Sequence, residues 1–155
     1  MLPHARLRRP NLGRLGVAED EISRTYQRLA SAPEGMGWLE RAGAEDRQVL
    51  RRRGARMSEL VLAFLDADSP AEALARLGEA CRLGEEYADH VSLMGGRLGD
   101  AVESFLRFRA PFMESLADTA RRRGLDIRES ARLLIDAEAA FDKILVSFVA
   151  GWGRA

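Results

Sequence analysis

Lysine is all but missing from this chain: of its 24 basic residues only Lys143 is a lysine, and the rest are arginines. Acidic residues also number 24, so the net charge at neutral pH is zero. No overall field therefore favours nucleic acid or an anionic membrane, and neither is an expected partner. The arginine bias accompanies abundant alanine, leucine and glycine and reads as a GC-rich coding sequence. Where each arginine sits is then more informative than how many there are.

Cysteine occurs once, at Cys81, which excludes an internal disulfide framework and a cysteine metal cluster and suits a reducing interior. Histidine occurs twice, and His4 lies in the N-terminal basic stretch. A site on two histidines is not expected, and neither an HExxH nor a paired ExxH pattern is present. No run approaches the roughly 20 apolar residues of a membrane span. The opening "MLPHARLRRPNLGRLG" is basic but lacks the apolar core of a signal peptide, so the expected location is the cytoplasm. A serine-nucleophile motif, a Walker loop and a dinucleotide fingerprint are also missing; "GGRLGD" follows a helix where such a loop would follow a strand. The expectation is a non-enzymatic protein without metal or cofactor.

What is present is helical periodicity. With 155 residues, 46% of them hydrophobic and 31% charged, the chain can bury the core of one domain. Residues 1–16, punctuated by Pro3, Pro10, Gly13 and Gly16, read as a basic arm, and 17–155 as a single domain. A first helix is expected over 17–31, with Val17, Ile22, Tyr26 and Leu29 inward, stopped by Pro33, Gly35 and Gly37. A short helical turn around Trp38 follows. Four long helices come next, at about 45–67, 70–94, 97–122 and 126–151. "SPAE" at 69–72 and "DIRE" at 126–129 carry helix-starting signals, and Gly95, Gly96 and Gly124 carry stops. Short connections imply an all-α, up-down bundle, with the N-terminal helix and the Trp38 turn lying across it.

Heptad-like seams can be drawn along these helices. The first long helix offers Leu50, Gly54, Met57, Val61 and Phe64, and the second Leu74, Leu77, Cys81, Gly84, Ala88 and Val91. In the third, Leu98, Val102, Phe105, Phe112 and Leu116 place Arg109 on the inner stripe. In the last, Ile127, Ala131, Leu134, Phe141, Leu145, Phe148 and Trp152 place Glu138 there. A buried guanidinium requires an acid or an anion. The expectation is an inter-helix ion pair between Arg109 and Glu138, with Asp142 as the alternative acid one turn away. Pro111 removes a backbone donor and predicts a kink near 107–110.

Two functional readings follow. In one, the kink, the charge and the aromatic wall form a small-molecule pocket lined by Phe105, Arg109, Phe112 and Glu138, with Tyr87 and His90 near its mouth. In the other, the ion pair only sets helix register, the core is filled, and an exposed apolar patch on the first or last helix recruits a partner. His90 follows Glu86 by one turn, an arrangement typical of a stabilised helix surface. The "RRR" runs at 51–53 and 121–123 read as solvated helix faces, the second also favoured by the helix dipole.

The stretch "LGEEYADHVSLMGGRLGDAVESFLRFRAPFMESL", residues 83–116, resembles the RsbRD-type N-terminal domain of stressosome co-antagonist proteins, a helical input domain of bacterial regulators. The likeness rests on Leu83-Gly84, Tyr87-Ala88, the break at Gly95 and Gly96, Leu98, Ala101-Val102, Phe105, Phe108 and Arg109, with Asp142 and Leu145 in the last helix. It covers about a third of the chain, and its motifs are structural. It implies a dimeric helical sensor in stress-response signalling that passes a signal to an output domain. No such output follows the last helix in this sequence, so the expected output is a separate regulatory partner or a role that has drifted. A homodimer is also suggested by the aromatic tail at Phe148 and Trp152.

Overall fold

The computed structural model describes residues 43–152, which form four helices: α1 (Ala44–Asp66), α2 (Pro70–Leu93), α3 (Leu98–Arg122) and α4 (Ile127–Gly151). No strand occurs among the described residues, and the architecture is an all-α helical bundle. The arm at 1–16, the helix expected at 17–31 and the Trp38 turn lie outside the described residues.

Local chemistry sets the helix ends. Ser69 Oγ accepts from the Glu72 N–H at 3.1 Å, and Pro70 occupies the first helical position, where its missing N–H costs nothing. Glu72 Oε2 reaches past the cap to the Asp68 N–H at 3.3 Å. Asp126 Oδ1 caps α4 through the Glu129 N–H at 2.7 Å. Asp100 in the first turn of α3 accepts from the Arg97 N–H at 3.0 Å. At the C-terminal ends, Gly95 and Gly124 adopt φ of 81° and 70°. The following residues donate back into the last turn, Gly96 to Val91 O and Leu125 to Ala120 O. Both are left-handed helix stops that glycine forms without a Cβ penalty.

The helices do not form a square. α2 and α4 approach closely along Ala80, Gly84 and Ala88 on one side and Ala137, Ala140, Ile144 and Gly151 on the other, all buried. At Gly84 a Cβ would stand 3.1 Å from Ile144 Cγ2, and at Gly151 it would stand 3.1 Å from Glu85 Cγ. Toward α1 a large ring fills the space: Phe108 of α3 reaches the Gly54 position. Small residues thus line the close α2–α4 contact, and phenylalanines fill the wider part of the core. The glycine and alanines of α2 serve close helix approach.

The buried faces correct several expected seams. In α4 the inward residues are Leu133, Ala137, Ala140, Phe141, Ile144, Phe148 and Gly151. Ile127, Ala131 and Glu138 are exposed. In α2, Ala73 and Ala80 are buried where Leu74 and Cys81 were expected, and Leu74 is exposed. Pro111 is buried inside α3, which runs uninterrupted through it.

Candidate functional site

Phe105, Phe108 and Phe112 stand on one face of α3 and converge on Phe141 of α4. Their ring centroids lie 5.9, 6.3 and 5.0 Å from it, each in an edge-to-face arrangement. Edge-to-face contacts place positive ring edges on negative faces and add to the burial energy. Phe105 also meets Phe148 at 5.9 Å, and Phe148 meets Tyr87 of α2 at 5.8 Å. Phe105 and Phe112, expected to line a pocket, are core residues packed against other rings. Phe148, expected on the inner seam of the last helix, is fully buried.

Arg109 lies on the rim of this cluster. Its guanidinium stands 6.0 Å over the Phe141 ring, and Nη1 donates to Asp142 Oδ1 at 2.9 Å. The expected pair with Glu138 is not formed. The acid is the alternative one, and the pair is a surface feature: the Arg109 side chain is 21% exposed and Asp142 66%. The reason is directional. Helical side chains lean toward their own N-terminus, so Arg109 leans away from the α3–α4 turn. It meets the acid one turn farther from that turn, Asp142, while Glu138 points to solvent.

The remaining candidates do not gather at Arg109. The Tyr87 hydroxyl shares a hydrogen bond with the buried Ser104 Oγ at 2.8 Å, tying α2 to α3. His90 is partnered across helices, and its acid is Asp46 of α1 in place of Glu86. Its Nε2 lies 3.3 Å from Asp46 Oδ1, close enough for an ion pair on protonation, but without hydrogen-bond alignment. Tyr87 thus joins the aromatic chain through Phe148, while His90 and Glu138 stand apart from it. Ser104 and Asp46 are the partners that sequence reasoning missed. Ser104 falls four residues from Phe108 on the same face, a spacing that marks it as inward.

The arginine runs are mostly solvated. Arg51 and Arg52 are exposed, and Arg121 and Arg122 pair with Asp118 of their own helix. Arg53 differs, donating to the Glu86 carbonyl of α2.

The apolar surface lies elsewhere. On the outer side of α4, Ile135 is 62%, Val146 68% and Val149 44% exposed, and Ala139 is exposed between them. With Arg128, Arg132 and Asp142 these residues step alternately by four and three from Arg128 to Val149, the spacing of a helix–helix seam. Lys143 and Asp136 lie on one flank of this stripe, and neither makes an ion pair among the described residues. No group of three His, Cys, Asp or Glu side chains able to hold a metal occurs among the described residues. No described helix is long and apolar enough to cross a membrane.

No protein-family model, curated protein or solved structure matches the chain.

Proposed function

We propose that this chain is a non-enzymatic, cytoplasmic regulatory module that works by protein contact through the outer face of α4. The observation that carries the reading is the exposed row of Ile135, Ala139, Val146 and Val149 on one face of α4, interrupted at the intervening seam position by Asp142. Apolar residues scattered singly on a surface need no explanation, but apolar positions recurring along one helix face at helix-pairing spacing are the form a partner helix recognises. A role as the input module of a bacterial stress regulator, as the RsbRD-type likeness implies, belongs to the same proposal, with output in a separate partner.

The small-molecule sensor has weaker support. It needs a cavity beside Arg109, and the rings that would line one pack on each other at centroid distances of 5.0 to 6.3 Å. Native mass spectrometry of the purified full chain, with an absorption spectrum of the same sample, separates the two readings. The expected result is a protein-only mass and no visible chromophore. Extra mass that disappears on denaturation would overturn the interaction reading in favour of a sensor.

A further inference from the structure

The exposed seam on α4 raises the question of what it meets. In a parallel two-fold pairing of two copies, each seam position faces itself. Arg128, Arg132 and Asp142 would then each oppose a like charge, which is destabilising. Antiparallel pairing removes that conflict. In the register that keeps the apolar positions together, Ile135 faces Val146 of the partner subunit, Arg132 lays its methylene stem on Val149 of the partner subunit, and Ala139 leaves room beside Asp142 of the partner subunit. The two-fold axis repeats each contact.

Charge on the flank agrees with this register. Asp136 directly follows Ile135, and Lys143 directly follows Asp142, so both lie on one edge of the seam. When two such helices run antiparallel, that edge of one copy lies beside the same edge of the other. Asp136 then meets Lys143 of the partner subunit, and the symmetry makes the pair twice. Lys143 is the chain's only lysine, and among the described residues neither it nor Asp136 has an ion-pair partner within the chain.

We infer that the outer face of α4 binds a second copy of this chain in an antiparallel two-fold pair, in register Ile135 to Val146, with reciprocal Asp136–Lys143 ion pairs. The inference rests on the reading of this face as the working surface. A seam of about three heptads is small beside the roughly 1,200 to 2,000 Å² of stable complexes, so the pair forms and separates with concentration.

The test is sedimentation velocity of the full chain from about 1 to 100 µM, combined with disulfide trapping in a Cys81→Ser background. A concentration-dependent dimer is expected. Ile135→Cys and Val146→Cys chains, mixed under mild oxidation, should form a cross-linked heterodimer, while Ile135→Cys alone should give none. Lys143→Glu should weaken the dimer at least tenfold, and adding Asp136→Lys to the same chain should restore it. A full chain that stays monomeric at 100 µM overturns the inference, whether the stripe is bare or covered by another part of the chain. Cross-linking of Ile135→Cys with itself overturns it in favour of parallel pairing. A monomer with protein-only mass defeats self-pairing alone, whereas a retained small molecule defeats the interaction reading beneath it.

Discussion

Phe141 receives three aromatic rings and has a guanidinium over its own ring, and these contacts differ greatly in weight. Phe112 is fully buried 5.0 Å from Phe141, centroid to centroid. Phe112→Ala should cost about 3 to 5 kcal/mol, through lost transfer energy and a residual cavity. Arg109→Met should cost no more than about 1 kcal/mol, since its acid is two-thirds exposed and solvent screens the pair. Urea denaturation of both variants measures the contrast, and equal losses would show that the ion pair is a core feature. Sequence alone indicated that Arg109 reaches an acid on the last helix, because an inward-leaning arginine must. It did not settle which acid, because Glu138 and Asp142 lie on one side of α4 a turn apart, and the choice depends on the lean of two side chains.

For whole elements, stops and starts were the most legible features. Ser69-Pro70, Asp126, Gly95 and Gly124 act through bonds within a turn of themselves, so no distant contact has to be known. Gly124→Ala, forced to hold φ near 70°, should lower stability by about 1 kcal/mol. Thermal unfolding followed by circular dichroism should show the loss, with the helical content of the native state unchanged. The phase of α4 was less legible. Its apolar residues fall on every side, so a seam through Ile127, Ala131 and Leu134 competed with the true one through Leu133, Ala137 and Ala140. The contest was decided by packing against α2, whose Gly84 makes room for Ile144 on the facing side. The outer stripe through Ile135 and Val146 was hidden by the same ambiguity: residues left out of one candidate seam have no assigned role until packing shows which face is covered.

Over the whole molecule, the balance of 24 basic and 24 acidic residues removes the repulsion that keeps like molecules apart. Solubility should therefore pass through a minimum near neutral pH and rise on either side, as measured by the protein left in solution across a pH series. The close α2–α4 crossing has a mechanical consequence as well. A long side chain that meets a push can change rotamer and absorb it. At the α2–α4 crossing there is little to rotate: a Cβ at Gly84 would stand 3.1 Å from Ile144 Cγ2 and 3.6 Å from the Ile144 carbonyl oxygen. Ile144 and Val146 are near neighbours on one stiff rod, one facing inward and the other outward. A load applied to the outside of α4 is therefore carried through nearly incompressible contact into α2, so this crossing behaves less like a cushion than like a wedge.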